Sequence, residues 1–184
     1  MTAVMPQRPT LKFPEPVVLT AREYDALPPN SRIELLDGVV QVMTPATMRH
    51  QIVVQKLRAS METVCDEALK IVWEQEIRFT DLRRRNPDVM AIQAAAYDID
   101  GYSYSPADIV LAVEVVSPGT QTIDRLHKPA EYAAARIEHY WRVEIAPEVE
   151  VHTYRLGESG RYLESGLFTV GVHSDDPALS HCFQ

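Results

Sequence analysis

The stretch that most constrains the fold is the apolar run at residues 109–120, IVLAVEVVSPGT, which contains one carboxylate, Glu114. A run rich in Val and Ile that ends in Ser-Pro-Gly is typical of a strand covered on both faces of a sheet. Because a lone carboxylate is costly to bury in such a strand, we expect Glu114 to be paired with a metal ion or another cation. An exposed position at the tip of the strand is the simpler alternative.

A second carboxylate, Asp88, lies upstream in the segment 86–92, NPDVMAI. If the strand that follows Asp88 pairs antiparallel with the apolar run, with Gln93 opposite Ile109, then Asp88 falls opposite Glu114. Opposed residues share a face of the sheet, with Cβ atoms about 5 Å apart. Two carboxylates at that separation repel each other unless a cation lies between them, and Mg²⁺ prefers oxygen ligands of this kind. The pairing therefore predicts a site for Mg²⁺, with Mn²⁺ as a substitute.

Composition and charge are those of an ordinary globular protein. The chain has 184 residues, which we assign to a flexible, proline-rich lead-in at 1–18 and a single domain at 19–184. The formal net charge of −8 argues against a protein that binds nucleic acid tightly through bulk charge. The sequence shows no signal peptide, no apolar run of membrane-spanning length and no cysteine framework, so we expect a cytoplasmic protein that does not enter a membrane.

Local patterns predict the elements around the two acids. Thr20 and Glu23 form a capping box for a short helix, and Asp37-Gly38 predicts a hairpin. The other expected elements are hairpin strands at 32–36 and 39–43, a long helix from Thr44-Pro45 with a stripe of Val53, Leu57, Met61, Val64 and Ala68, an alternating strand at 71–79, a helix from Asp124 with Pro129 in its first turn, a strand pair at 139–145 and 149–156, and a short strand near Tyr162. Together they predict an α/β (α+β) fold with a mixed sheet and helices packed on it.

Further charged residues near these elements have open roles. Glu34 lies in the first hairpin strand, where a functional role and an outward-facing position are equally compatible with the pattern. His50 follows Arg49 in the first turns of the long helix, and we expect a surface or capping role for it rather than contact with a phosphate or a site carboxylate. The run Arg83, Arg84 and Arg85, just before Asp88, is either a solvated loop or a rim that contacts phosphates.

An ordered set of short motifs between Leu19 and Tyr154 carries a resemblance to a known family. The motifs are Glu34-Leu-Leu-Asp37-Gly38, His50, Pro87-Asp88-Val89, VEVVSP at 113–118, Asp124, Lys128, Tyr132 and Tyr140-Trp141. With them the chain resembles the Uma-type putative restriction endonucleases of the PD-(D/E)XK superfamily. The resemblance implies a restriction-endonuclease-like mixed β-sheet flanked by helices, and a Mg²⁺-dependent endonuclease that hydrolyses phosphodiester bonds, with DNA as the expected substrate.

The resemblance also implies roles for individual residues. Asp88 and Glu114 would be the motif acids, binding the metal together with the backbone carbonyl of Val115. Val116 occupies the position of the signature lysine. That lysine orients water or offsets phosphate charge, and the role would pass to Lys128 on the following helix. Two further contributions are implied: Glu34 would ligate the metal directly or through water, and Arg83, Arg84, Arg85 and Arg49 would attract the nucleic-acid backbone.

Three functions are compatible with the sequence. The first is a metal-dependent nuclease. The sequence leaves its oligomeric state open, and the resemblance suggests a homodimer that would cut both strands of a duplex. The second is a catalytically silent nuclease-fold module that binds nucleic acid or a protein partner, which the net acidity and Val116 would favour. The third is a metal-dependent hydrolase of a smaller phosphoester.

Overall fold

The structure is a computed structural model that describes residues 15–29, 32–117 and 123–170. The helices are α1 (Ala21–Asp25), α2 (Met48–Val64) and α3 (Lys128–Ala134), and a π-helical turn at Ile123–His127 leads into α3. The strands are β1 (Ile33–Leu36), β2 (Val39–Val42), β3 (Leu69–Trp73), β4 (Glu76–Thr80), β5 (Arg83–Arg85), β6 (Val89–Gln93), β7 (Ser103–Tyr104), β8 (Ile109–Val115), β9 (His139–Glu144), β10 (Val149–Leu156) and β11 (Tyr162–Val170).

The strands form two sheets. The larger has six strands in the order β11-β10-β9-β8-β6-β3, and the smaller has five in the order β2-β1-β5-β4-β7. Each sheet is mixed, because β8 pairs parallel with β9 and β4 pairs parallel with β7, whereas their other pairs are antiparallel. The predicted fold class, α/β (α+β) with mixed strand directions and flanking helices, is confirmed.

The predicted pairing of β6 with β8 holds at the end that carries the acids. Val89 lies opposite Val113, the register that the sequence required. A bulge next to Ala91 shifts the far end, so that Ile92 and not Gln93 pairs with Ile109. Since the bulge lies at the end of the strand pair that is farther from Asp88 and Glu114, it leaves the register beside the two acids unchanged.

Strand β8 is covered on both sides, as its apolar sequence predicted. Its seven residues are buried except Val110, which is partly buried. One face packs against α2, whose Val53, Leu57 and Met61 are buried with Val113 in one core cluster. The other face joins a second cluster with Tyr132 of α3 and Tyr140 of β9. Because Glu114 alternates with Val113 along the strand, its side chain is directed to the face that α3 covers.

Helix α2 begins three residues later than predicted. Its N-cap is Thr47, whose hydroxyl accepts a hydrogen bond from the amide of His50, and not Thr44. The first three residues of the predicted apolar stripe are buried, but Val64 is exposed. The remaining stripe residue, Ala68, lies beyond the end of the helix.

The single strand predicted at 71–79 is two strands, β3 and β4, that belong to different sheets. The chain turns at Glu74, which has a φ of 50°. This left-handed conformation is uncommon for residues other than glycine, and it ends the extended backbone that the alternating pattern predicted.

Most other local predictions are confirmed. The capping box of α1, the hairpin at Asp37-Gly38 and the strand pair β9–β10 are present, and β11 continues that sheet. The helix predicted from Asp124 differs in its start, because Ile123–His127 is a π-helical turn and α3 begins only at Lys128, with Pro129 in its first turn.

The boundaries of the fold differ slightly from the prediction. Val18 forms a bridge with Val39, and the amide of Val40 donates to the carbonyl of Val17, so the ordered pairing begins before residue 19. Residues 1–14 and 171–184 lie outside the described part of the chain. None of the helices in the described part is long and apolar enough to span a membrane.

Candidate active site

A polar groove opens where β8 ends, β6 begins and the first turns of α2 and α3 approach each other. Its walls carry the residues that the sequence singled out, together with several others. The lining residues are Arg32, Met43, Thr44, Ala46, His50, Gln51, Glu74, Asn86, Asp88, Glu114, Val115, Ser117, Asp124 and Lys128.

Asp88 lies at the more open edge of the groove, one residue before β6. Its Oδ2 accepts a hydrogen bond from the amide of Val115 at 2.7 Å. Its Oδ1 lies 3.4 Å from Nε2 of His50. The backbone of β8 therefore fixes the orientation of this carboxylate beside Glu114.

Glu114 is buried and has a partner at each oxygen. Its Oε2 accepts from Nζ of Lys128 at 2.7 Å, and its Oε1 accepts from the hydroxyl of Tyr132. Burial raises the pKa of Glu114 to about 8 even though Lys128 opposes the shift, with further raising from the charges of Asp124 and Asp88. The carboxyl of Glu114 is therefore harder to ionise than a solvated one, and a cation bound beside it would favour the charged form.

Lys128 is the first residue of α3 and places its ammonium among buried acids. Besides Glu114, Nζ lies 3.2 Å from Oδ1 of Asp124 and 3.8 Å from Oε1 of Glu34. Burial alone would lower the pKa of Lys128, but the charges of Glu114, Glu34, Asp124 and Asp88 outweigh it and raise the pKa well above its usual value. The lysine is therefore charged. Lys128 thus lies beside Glu114, the second acid of the (D/E)XK motif. The position of the signature lysine in that motif is occupied by Val116 in this chain.

Glu34 lies behind Lys128, on the neighbouring sheet. It is 1% exposed, and its oxygens accept from the guanidinium of Arg85 at 2.7 Å and from the amide of Asn86 at 3.1 Å. Arg85 also binds Glu131 of α3 through two hydrogen bonds of 2.8 Å. The alternative in which Glu34 faces outward is therefore wrong. Its carboxylate is held by the guanidinium of Arg85 and the amide of Asn86.

His50 is buried in the groove, so the expected surface or capping role for its side chain is wrong. Its Nε2 lies 3.0 Å from the carbonyl oxygen of Val115 and 3.4 Å from Oδ1 of Asp88. Burial would lower the pKa of His50, but hydrogen bonding and charge from Asp88 raise it overall. The local sequence predicts that a helix starts near His50. It cannot predict that this start packs against the end of β8, where Val115 lies.

Asp124 is a site residue to which the sequence reasoning gave no role. It is 2% exposed and lies one helical turn before Lys128, within ion-pair distance of it. Its backbone carbonyl accepts a hydrogen bond of 2.7 Å from the hydroxyl of Tyr140. The spacing of four residues between Asp124 and Lys128 is the signal that could have identified the pair.

The three consecutive arginines form strand β5, neither a solvated loop nor an exposed rim. Arg84 is buried, with ion pairs to Asp25 at 2.6 Å and Glu76 at 3.2 Å, and Arg85 is buried as described above. Arg83 is half-exposed and pairs with Asp37 at 2.7 Å. The fourth residue assigned to phosphate attraction, Arg49, is exposed and donates to the carbonyl of Pro147 at 3.1 Å.

The donors that would hold a divalent cation are the carboxylates of Asp88 and Glu114 and the carbonyl of Val115. Among the residues that the structure describes, no group of three or more His, Cys, Asp or Glu side chains is arranged to hold a metal ion. The set therefore depends on one backbone oxygen, and hard oxygen donors of this kind suit Mg²⁺. Two of these oxygens, Oδ1 of Asp88 and the carbonyl oxygen of Val115, lie close together, because Nε2 of His50 contacts both.

The family described as "Putative restriction endonuclease", Uma2, matches residues 21–181 of the chain. The chain belongs to this family. Its fold is similar to the crystal structure of a protein described as a putative nuclease belonging to DUF820, from Anabaena variabilis ATCC 29413. The two share 15% sequence identity with a TM-score of 0.65, over 82% of this chain and 84% of that one. At 15% identity this similarity shows that the two proteins share a fold. Among curated proteins, none matches the chain. The predicted family and fold are confirmed, and the family indicates a nuclease.

Proposed function

We propose that this protein is a Mg²⁺-dependent endonuclease that hydrolyses phosphodiester bonds of DNA. The observation that carries the proposal is the meeting of Asp88, Glu114 and Lys128 in one groove of a chain from a nuclease family. Each of these residue types has a place in the chemistry. Two carboxylates can hold a divalent cation, and a lysine beside them can stabilise negative charge on a phosphate.

The cation would be held by Asp88, Glu114 and the carbonyl of Val115. When bound, Mg²⁺ would polarise the phosphate as a Lewis acid and acidify a water molecule. The protein's part is to aim the ligands. The amide of Val115 holds Asp88 through a 2.7 Å hydrogen bond, and Tyr132 holds one oxygen of Glu114.

Lys128 would orient the attacking water or offset the charge that develops on the phosphate. Its ammonium is fixed by Glu114 and by Asp124, so little reorganisation is needed when charge develops. Arg85 contributes indirectly, because it neutralises Glu34 and leaves Lys128 less strongly held by that acid.

The charge balance of the groove also supports a bound cation. Four acids line the groove, Glu74, Asp88, Glu114 and Asp124, against the cations Arg32 and Lys128 and the ring of His50. A groove with this excess of acid would repel a phosphate backbone, and a divalent cation would offset the repulsion. This is how a protein with a net charge of −8 can act on nucleic acid.

The test is cleavage of plasmid DNA by the purified protein in Mg²⁺, with EDTA as the negative condition. Glu114→Gln should lose Mn²⁺ binding and cleavage together, whereas Glu67→Gln, at an exposed position on the loop before β3, should keep both. A panel of small phosphodiesters run in parallel would show whether the substrate is a nucleic acid or a smaller ester. Cleavage that persists in EDTA, or in Glu114→Gln, would contradict the proposal.

A catalytically silent module is the second candidate, and one observation favours it. The carboxylate oxygens of Asp88 and Glu114 and the carbonyl of Val115 all have hydrogen-bonding or ion-pair contacts to protein groups. A site satisfied in this way can be a structural polar network rather than a metal site. DNA binding without cleavage in Mg²⁺ or Mn²⁺, unaffected by Glu114→Gln, would favour this candidate.

A further inference from the structure

We propose that the ring of His50 occupies the cation position of the groove in the metal-free protein, and that a metal ion displaces it on binding. The proposal rests on the proposed function, since it assumes that Asp88 and Val115 are metal ligands. It gives His50 a definite role as the group with which a metal ion must compete.

The contacts of His50 identify the hydrogen on its ring. Nε2 lies 3.0 Å from the carbonyl oxygen of Val115 and 3.4 Å from Oδ1 of Asp88. A carbonyl can only accept a hydrogen bond, so Nε2 must carry the hydrogen. A nitrogen with its hydrogen directed at these oxygens has no lone pair to offer a metal there. In this orientation His50 is therefore a competitor for the position and not a ligand.

The ring is held in the groove by one atom. Its other nitrogen, Nδ1, is buried without a hydrogen-bond partner among the residues described. The backbone of His50 is fixed separately, because its amide donates to the hydroxyl of Thr47 at the start of α2. A rotation of the side chain would thus break no polar contact of the ring other than those of Nε2, while the hydrogen bond at the helix start stays in place.

Displacement of the ring would leave the remaining site intact. Oδ2 of Asp88 would keep its 2.7 Å hydrogen bond to the amide of Val115, so the carboxylate would remain aimed into the groove. Lys128 binds Oε2 of Glu114 and Oδ1 of Asp124, and neither contact involves the ring of His50, so neither need change. Movement of His50 alone would therefore free two neighbouring oxygens for a metal ion, Oδ1 of Asp88 and the carbonyl oxygen of Val115.

Direct Mn²⁺ binding, followed by the electron paramagnetic resonance signal of the free ion, tests the proposal without any need for catalysis. His50→Leu removes the competing donor and should bind Mn²⁺ about tenfold more tightly, as expected for the loss of hydrogen bonds to a charged group. His50→Gln places an amide donor at a similar reach and should bind close to the parental affinity. Gln55→Leu, at an exposed position on the same helix, is the matched control and should not change binding.

The outcomes separate this proposal from the proposed function. Weaker Mn²⁺ binding by His50→Leu would make His50 a ligand, and equal binding would make it irrelevant to the metal. Either result overturns displacement while leaving the metal site in place. If the parental protein and all variants fail to bind Mn²⁺, the metal site of the proposed function falls as well.

A measurement on the parental protein covers the case in which His50→Leu does not fold. The ring resonances of His50 in a nuclear magnetic resonance spectrum should shift when diamagnetic Mg²⁺ saturates the protein, because Nε2 exchanges its partners for water. His50→Gln identifies the resonances by their disappearance. Ring signals that stay unchanged at saturating Mg²⁺ would overturn the proposal.

Discussion

At the scale of single residues, the sequence predicted that Glu114 is buried and paired better than it predicted which residues pair with one another. The apolar run around Glu114 indicated that this carboxylate would be buried and paired, and it is paired with Lys128. The choice of Lys128 came from a resemblance, since no local sequence pattern links Glu114 to a residue fourteen positions later. The prediction for His50 was wrong because exposure in a first helical turn depends on what packs against that turn.

Lys128→Met tests what the buried ammonium does. It leaves Glu114 and Asp124 buried without their cation, so the metal-free protein should lose about 3–5 kcal/mol of its free energy of unfolding. Cleavage should fall about a hundredfold or more because one preorganised charge is gone. Mn²⁺ affinity should stay the same or rise, since a nearby positive charge has been removed. Urea denaturation, plasmid cleavage and Mn²⁺ calorimetry measure the three effects.

Lys70→Met is the control for that variant, because Lys70 is an exposed residue of β3 and its replacement should leave stability and cleavage unchanged. Cleavage by Lys128→Met at the parental rate would show that this lysine does not replace the residue missing at Val116. Loss of Mn²⁺ binding would show instead that Lys128 holds the ligands in place.

Asp88 offers a second test, in which two replacements separate the metal from the fold. Asp88→Asn and Asp88→Ala should both lose Mn²⁺ binding in a calorimetric titration. Only Asp88→Ala removes the acceptor for the amide of Val115, so it should cost about 1–3 kcal/mol of stability. Asp100→Asn, at an exposed loop position, is the control. Unchanged Mn²⁺ binding in both Asp88 variants would remove this residue from the metal site.

At the scale of elements, hydrogen-bonding partners that are distant in sequence decided what local patterns could not. A run of three arginines suggested a loop or a phosphate-binding rim, but it is β5, which pairs with β1 and β4. Acids supplied by other elements, Glu34 on β1 and Glu131 on α3, make the burial of Arg85 possible. None of these partners is near in sequence, so the run alone could not indicate a buried strand.

The arginines of β5 should therefore differ from one another when replaced. Arg85→Met leaves two acids without their partner and should cost about 3–5 kcal/mol of stability. Arg83→Ser, at the half-exposed position, should change stability by less than about 0.5 kcal/mol. If Arg83 contacts phosphate, its replacement should also reduce the salt dependence of DNA binding by about one unit of slope. Denaturation curves and a salt series of filter binding measure these effects, and equal stability losses would contradict the structure.

The start of α2 gives a matched pair of threonines. Thr47→Ala removes the side-chain cap on the amide of His50 and should lower the free energy of unfolding by about 1 kcal/mol. Thr44→Ala, at the start that the sequence predicted, should have no measurable effect. Thermal denaturation of the two variants distinguishes them, and a larger loss for Thr44→Ala would place the helix start where the sequence suggested.

At the scale of the whole molecule, the groove connects the two sheets. The sequence predicted one mixed sheet, and the division arises at Glu74, where the chain leaves β3 and enters β4 of the other sheet. Ion pairs cross between the sheets through α3. Arg85 of the smaller sheet binds Glu131, and Lys128 binds Glu114 of the larger sheet. The candidate site is thus also a structural junction.

A cation bound at that junction should stabilise the entire molecule, which calorimetric unfolding can test. Unfolding without metal should occur in a single transition, because the buried ion pairs couple both sheets. Mg²⁺ at about a hundred times its dissociation constant should add about 2.7 kcal/mol, which for a chain of this length raises the melting temperature by about 5–10 °C. Glu114→Gln should unfold at the same temperature with and without Mg²⁺, whereas Glu67→Gln should show the full shift. Two transitions, of which Mg²⁺ raises only one, would show that the sheets unfold independently and that the groove does not couple them.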